Sequence, residues 1–540
     1  MKMFDTNIHI DRDLCFACGI CVQRCIMDNL RLSLAPCRQA CPLDLNCQGY
    51  IRLIAQGKET EAAQELRKYT PYAGILGRIC SRPCEDVCER ERSIGDGAVN
   101  IRAIKRYLDA AYPHITRSHP DIPYETGLKA AVIGSGPAGL MAAYELRVLG
   151  HEVTVFEARH QAGGLLRHGI PAFRLPQSEV DAAIQFLRDM DISFRLGCTV
   201  GEDVPWAEID ATYGAILLAI GADRSVPLPV PGGQAAGVIS VLELLSRARQ
   251  GRLPDLSGKS VLVIGGGNTA SDAAVTCRHC GAKEVRMICL ENPREMPAFA
   301  AELSEAREMG VIFENCWGLN RIEAGPEGTL LLVLKRCLSV YDKQGRFAPQ
   351  FDENGMMHRL EGDLVVVAIG QRRVDPKGLP PSLLDQETGG FCHDRSTLQS
   401  LNAPKVFVCG DCAKGSSSVV QAFADGKRAA QSASRLLLGE HLRYEQDLYQ
   451  ALGMVDEYQV RPERTTGDAR QEPKRLAVKE RGLNTETELC QNRDEARKEA
   501  ERCLSCGRAF ECNETCWYCL PCEIECPSQA LYVKMPYQVR

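Results

Sequence analysis

The sequence predicts an α/β protein, with two parallel-sheet domains in the middle of the chain and cysteine-rich modules before and after them. Two observations predict the sheets. A buried strand, a glycine loop and a helix follow one another from Lys129, and the same order returns from Lys259. A third observation predicts the flanking modules. Of 27 cysteines, ten lie between residues 15 and 88 and seven between 503 and 526.

A chain of 540 residues has room for three or more domains, each with its own core. The net charge of −6 gives no reason to expect nucleic acid or an acidic membrane surface. The start, MKMFDTNIHIDRDLC, has no apolar signal core, and no uncharged apolar stretch is long enough to span a bilayer. Many cysteines can also mean a disulfide-rich secreted protein, but that class is short and carries a signal peptide. The expectation is therefore a cytoplasmic protein whose thiolates hold metal.

The first module is a cluster-binding head over residues 1–35. Cys15, Cys18, Cys21 and Cys25 are spaced C-x2-C-x2-C-x3-C. Cys516, Cys519, Cys522 and Cys526, followed by Pro527, repeat that spacing in the last module, residues 501–540. This is the ferredoxin run, in which three close thiolates grip one iron–sulfur cube and the fourth often serves a second. Zinc is the competing ligand. Cys503 and Cys506 with a later C-x2-C can make a zinc ribbon, whereas the four-cysteine run is tighter than zinc needs.

Residues 36–125 read as helical, because IRLIAQGKETEAAQELRKY and NIRAIKRYLDAAY carry apolar residues at helix period. Cys80, Cys84 and Cys88 lie between those helices. The first sheet domain begins at 126. Its loop is Gly134-Ser-Gly136-Pro-Ala-Gly139. Gly134 permits the turn, Gly136 lets backbone approach a pyrophosphate, and Gly139 lets helix and strand pack closely. The helix N-terminus favours the phosphate charge. Glu157, at the end of EVTVFE, stands where a carboxylate accepts from a ribose hydroxyl.

The second sheet domain, 246–370, carries Gly265-Gly266-Gly267-Asn268-Thr269-Ala270, with Ala270 at the third glycine position. Its next strand ends in Cys289-Leu290-Glu291. A carboxylate there holds the ribose diol of NAD and repels the 2′-phosphate of NADP, which favours arginine. Glu291 thus points to NADH. Arg294 nearby works against that reading, and a solvated turn glutamate is the alternative.

With these residues in place, the chain from about Cys37 to Gly439 resembles the small subunit of bacterial glutamate synthase. It is also similar to the amino-terminal half of dihydropyrimidine dehydrogenase and to the NADPH-binding subunit of bifurcating ferredoxin:NADP oxidoreductases. The segments that carry the resemblance include CRQACP, GRICSRPCEDVC, VIGSGPAGL, GGLLRHGIPAFRLP, VIGGGNTASD, REMPA and FVCGDCAKGSSSVVQAFADGKRAA.

The resemblance implies two Rossmann-like domains of the disulfide-reductase type, with FAD on the first loop and a nicotinamide nucleotide on the second. It implies that Gly163, Gly164 and Leu165 lie against the flavin, and that Gly410 and Asp411 belong to the late flavin motif. The FAD domain is then split into 126–245 and 371–440, and residues 441–500 are a linker ending in the helix RDEARKEAERC.

Three departures from the family pattern stand out. NADPH-using members carry an arginine pair where this chain has Leu290 and Glu291. Two cysteines expected shortly before Cys37 are missing. The run from Cys503 to Cys526 is absent from plain glutamate synthase small subunits.

The first two modules offer Cys15, Cys18, Cys21, Cys25, Cys37, Cys41, Cys47, Cys80, Cys84 and Cys88, enough for two 4Fe–4S clusters with two thiols spare. The tail offers Cys503, Cys506, Cys512, Cys516, Cys519, Cys522 and Cys526, one short of eight. Cys490 or a carboxylate can complete that set. The expectation is two clusters at each end. Cys277 with Cys280, and Cys409 with Cys412, read as packing cysteines, the alternative being a redox dithiol. The ten histidines show no ligand or catalytic grouping.

The expected chemistry is transfer between NAD(H), FAD and 4Fe–4S clusters, needing no catalytic side-chain acid or base. The chain is then one subunit of a hetero-oligomeric redox complex. Its partner is a ferredoxin, a formate dehydrogenase, a hydrogenase or another reductase, and the resemblance admits bifurcation. The alternatives are an NADPH-dependent glutamate synthase small subunit, a non-catalytic electron-relay scaffold, and a disulfide reductase.

Overall fold

The computed structural model describes residues 7–11, 14–27, 29–373, 378–385, 388–442, 467–511 and 516–534. Its centre is the strand Lys129–Ile133, buried from Ala130 onward. An apolar run of this kind suits a strand covered on both faces. It pairs in parallel with Glu152–Glu157 on one side and Ala215–Leu218 on the other. Val406–Val408 and Ser193–Leu196 complete a five-stranded parallel sheet. One sheet therefore draws strands from both sides of the second domain. Helix Pro137–Val148 lies on it and packs against the long helix Val419–Leu438.

The second sheet is also five-stranded and parallel, in the order 312–315, 284–289, 260–264, 364–367, 238–240. Its edge strand Val238–Ser240 precedes the expected boundary at 246. A four-stranded antiparallel sheet, residues 317–362, packs on this domain through Ile322, Leu332, Leu334 and Leu360 against Leu262, Ile264 and Ile288.

The segment before the sheets is helical, and IRLIAQGKETEAAQELRKY spans two of its helices. It forms Cys47–Ala55 and Glu59–Arg67, broken at Gly57, whose φ of 76° ends the first helix. Asn46 and Asn100 cap Cys47–Ala55 and Ile101–Ala111, each accepting from a backbone N–H three residues on.

The ends of the chain meet, although the sequence suggested separate units. Ile8–Ile10 runs antiparallel to Leu531–Val533, and Leu30–Ser33 runs antiparallel to Arg508–Glu511. Helix Ile20–Arg24 packs against Pro521–Ile524. Ile8, Cys21, Leu30, Ala509, Cys522, Leu531 and Val533 share one small apolar core. Neither end has enough apolar surface for a core alone, so each supplies half.

The expected linker also differs from its description. Residues 467–490 form a strap across the molecule. Arg470 pairs with Glu85, Arg481 with Glu308, and Thr487 N donates to Phe173 O. Helix Arg493–Glu501 starts with an Asn492/Glu495 capping box and packs on Cys47–Ala55 and Ile101–Ala111. No helix among the described residues is long and apolar enough to cross a membrane.

Candidate functional site

Both glycine loops open into one cavity of about 1350 Å³. Single-ligand pockets run to about 300–1,000 Å³, so this one has room for two nucleotides. In the first loop, a Cβ on Gly134 would lie 2.4 Å from Ala219 O, and one on Gly139 1.9 Å from Gly134 O. Gly136 faces open space immediately before the helix N-terminus. The loop is thus packed behind and open in front, where a pyrophosphate would sit.

Ser135 ties this loop to its surroundings. Its N–H and Oγ–H both donate to Glu157 Oε2, at 3.0 and 2.5 Å, and its Oγ accepts from Gly163 N at 3.0 Å. Glu157 Oε1 accepts from Arg159 N. A carboxylate has about four lone-pair sites, so Glu157 keeps capacity for a ribose hydroxyl. Gly164 packs on Gly136, and Leu165 lines the cavity. Gly410 abuts Ala138, while Asp411 accepts from Ser417 N and Oγ. Burial pushes the Asp411 carboxyl up.

The second loop repeats the design. A Cβ on Gly265 would lie 2.3 Å from Ala368 O, and Gly267 faces open space before helix Asn268–His279. Asn268 Oδ1 accepts from Phe299 N, and Thr269 lines the cavity. The Glu291 carboxylate lies beside Gly266 in the cavity wall, while Arg294 is exposed and outside that wall. The residues present therefore fit an FAD on the first loop and a nicotinamide nucleotide on the second.

The thiols fall into groups that sequence order does not show. Cys41, Cys47, Cys80 and Cys84 surround Lys105, which is 2% exposed. Burial alone would lower that ammonium, but the four sulfurs outweigh it and hold its pKa up. Hydrogen bonds from Cys37, Cys41 and Cys84 pull Cys47 well below its ordinary value. Cys80 also lines the nucleotide cavity.

Cys503 and Cys506 neighbour Cys88, and both act on Cys37. They join the helical module, contrary to their expected place in the tail set. Gln48 holds them there by exchanging two hydrogen bonds with Gly507, at 2.7 and 2.5 Å. The two cysteines missing before Cys37 thus have neighbours of Cys37 from the far end of the chain in their place. Cys15, Cys18, Cys21 and Cys25 gather with Cys516, Cys519, Cys522 and Cys526 in the unit formed by the two ends.

Cys490 does not complete a tail set. It is exposed beside Arg106 and Arg78. Cys512 lies outside the described residues.

Among the described residues, no three Cys, His, Asp or Glu side chains converge closely enough for a single metal ion. The four-thiol groups are wider neighbourhoods. The fully buried Tyr50 hydroxyl lies beside Cys47 and Cys84. Four thiols gathered beside a buried ammonium and a buried hydroxyl are a donor set that fits a 4Fe–4S group.

The C-x2-C pairs inside the sheet domains look inert. Cys409 and Cys412 both donate to Leu218 O, and burial pushes Cys412 up to about 11. Cys277 is fully buried among apolar side chains, with Cys280 packed beside that core.

Sequence reasoning missed Lys105 and three features of the cavity wall. Lys105 sits on the buried stripe of IRAIKRYL, where a charged residue was itself a signal. His168 is buried with Nε2 unpartnered, and burial lowers its pKa to about 4. Arg174 bonds Asp272 and faces Glu302 and Glu305. Glu486 and Glu488 of the strap pair with Arg78, Arg106 and Arg102. No local pattern announced the last three.

Comparison with known proteins places these features in context. The family described as pyridine nucleotide-disulphide oxidoreductase matches residues 128–426. The domain described as dihydropyrimidine dehydrogenase domain II, 4Fe-4S cluster, matches residues 14–114. The NADP(+)-dependent formate dehydrogenase subunit beta of Moorella thermoacetica is 34% identical over 75% of this chain, and the chain spans 60% of that relative. The glutamate synthase [NADPH] small chain of Azospirillum brasilense is 32% identical, with 73% of this chain and 85% of that one covered. The NAD-dependent dihydropyrimidine dehydrogenase subunit PreT of Salmonella typhimurium is 31% identical, with 74% and 90% covered. Among solved structures, Mycobacterium tuberculosis FprA in complex with NADPH matches with a TM-score of 0.50 at 21% identity, covering 59% of this chain and 86% of that one. This likeness concerns the fold.

Proposed function

Because the chain belongs to the pyridine nucleotide-disulphide oxidoreductase family and is an NAD(P)H-dependent flavin/iron–sulfur oxidoreductase, we propose that it is the NADH-dependent electron-transfer subunit of a larger redox complex. One observation carries this reading: Cys80 and both glycine loops line the same cavity. Nucleotide chemistry and the first group of thiols thus share a wall.

We assign FAD to Gly134, Gly136, Gly139, Glu157, Gly163, Gly164, Leu165, Gly410 and Asp411. We assign NAD(H) to Gly265, Gly267, Asn268, Thr269 and Glu291. When bound, FAD exchanges a hydride with nicotinamide and single electrons with 4Fe–4S clusters. The chain's own residues bind, orient and insulate. The loops offer backbone N–H groups to phosphates, Glu157 and Glu291 accept from ribose hydroxyls, and the strap closes one side of the cavity. Cys41, Cys47, Cys80 and Cys84 would hold one cluster, and Cys37, Cys88, Cys503 and Cys506 a second.

Names of relatives mention both NAD and NADP, so the choice between them rests here on Glu291 and the exposed Arg294. An external redox partner is supported by the terminal unit, where Cys519 is exposed beside Trp517 at 73%. Ferredoxin-type proteins and formate dehydrogenase are the partners to try first. A glutamate synthase role is the second reading, favoured by the coverage of the Azospirillum small chain. Free thiols throughout the described residues suit a reducing cytoplasm.

The test is anaerobic titration of the purified chain. NADH is expected to bleach the flavin and then the cluster absorbance, with NADPH far slower. Reduction by NADPH alone would overturn the cofactor assignment. Glutamate formation from glutamine and 2-oxoglutarate with a synthase large chain would favour the second reading.

A further inference from the structure

The unit formed by the two ends has an internal symmetry. Each half is a strand, a cysteine loop, a short helix and a strand. The first strand of one half pairs with the last strand of the other, and the two inner strands pair with each other. The loops repeat in backbone detail. Ala17 and Tyr518, each just before the second cysteine of its run, both have φ 56°. Gly19 and Leu520, each just after it, have φ 85° and 69°.

Tyrosine and leucine rarely adopt the left-handed region, and such strain persists where the surroundings over-determine it. The twist gathers successive N–H groups into a concavity that suits an anionic group. Ser505, between Cys503 and Cys506, has the same twist at φ 54°.

The fourth cysteine of each run leaves its own half. Cys25, Cys516 and Cys526 pack against the one small core that contains Cys21 and Cys522, with Cys526 close to Cys18 and Cys21, and Cys25 close to Cys516 and Cys522. Asp11 N donates to Ala530 O and Lys534 N to Asn7 O, both at 2.7 Å, closing the unit at its outer edge.

We propose that the two ends of the chain make one two-cluster ferredoxin with crossed ligands. Cys15, Cys18 and Cys21 with Cys526 hold one 4Fe–4S cluster, and Cys516, Cys519 and Cys522 with Cys25 hold the other. The proposal rests on the reading that these thiols bind 4Fe–4S clusters. What it adds is that neither cluster forms from one end alone.

The test uses the full chain, reconstituted anaerobically with iron and sulfide, with iron content and reduced-state EPR as readouts. Cys25→Ala and Cys516→Ala should each remove the same cluster. Their double variant should then lose no more than about four irons, while Cys15→Ala with Cys25→Ala loses about eight. The reverse pattern would overturn the crossed ligation and leave the cluster reading intact. Retained flavin absorbance certifies that each variant is folded. The unaltered chain gives a second measurement: two reduced clusters in one small unit should show magnetic coupling, and an uncoupled spectrum counts against the proposal. A chain that takes up no iron overturns both the proposal and the reading beneath it.

Discussion

His9 stacks on Tyr532, with ring centroids 4.9 Å apart and planes 12° from parallel, so the first described strand of the chain lies directly on the last. Tyr532 is exposed on this two-stranded sheet and His9 is half-buried against it. Stacking of this kind adds about 0.5–1.5 kcal/mol. Tyr532→Ala should loosen the joined ends by that amount and speed amide exchange at both 8–10 and 531–533. Faster exchange at 531–533 alone would show that the strands do not support each other.

Glu291 should set the nucleotide preference. A hydrogen bond to a charged group contributes about 1.5–3 kcal/mol. Glu291→Ala is expected to raise KM for NADH by about ten- to a hundredfold and to narrow the gap to NADPH. Steady-state kinetics with both nucleotides checks this, and an unchanged preference would remove Glu291 from the site.

Arg502 and Glu499 form an ion pair with both side chains fully buried. Glu499 also accepts from Asn100 N and Gln471 N, and Arg502 donates to Asp96 O and Gly97 O. Removing one member of a buried pair costs about 3–5 kcal/mol, because the other charge stays behind. Arg502→Met should lower denaturant stability by that amount and weaken iron retention by the group containing Cys503 and Cys506. Full stability in the variant would mean that water reaches Glu499.

Asp272 shares Arg174 with Glu302 and Glu305. Burial first, then the neighbouring carboxylates, raise its pKa to about 7 despite the opposing pull of Arg174. An unfolded aspartate titrates near 3.9. Between about pH 4 and 7 the folded chain therefore holds the extra proton, and stability falls as pH rises through that window. Thermal unfolding across pH 5–8 should show this slope, and Asp272→Asn should flatten it. An equal slope in the variant would assign the titration to another group.

Lys105 places a buried cation among four sulfurs. A cation favours the more negative, reduced form of a cluster, so Lys105→Met should lower the reduction potential of the nearest one. Each 1.4 kcal/mol of lost attraction corresponds to about 59 mV for one electron. Potentiometric EPR reads the shift, and an unmoved potential would make Lys105 a purely structural residue.

By itself, the sequence determined whatever depends on near neighbours. The glycine loops, Glu157 and Glu291 were legible because a strand, a turn and a helix impose fixed spacings within about thirty residues. Each ferredoxin run was legible because three close thiols must reach one small volume from one loop. Even the absence of two cysteines before Cys37 could be read.

Tertiary structure alone decided which distant cysteines meet. Cys503 and Cys506 reach Cys37 and Cys88 through the packing of helix Arg493–Glu501 and the Gln48–Gly507 hydrogen bonds. Cys25 reaches the tail cysteines because Ile8–Ile10 and Leu30–Ser33 find their strand partners at the far end of the chain. The strap, Lys105 and the Arg174–Asp272 pair follow the same rule. Spacing along a chain records only what a loop or helix can close locally. Long-range pairings are selected by the apolar surface and hydrogen bonds that become buried once the separate pieces meet.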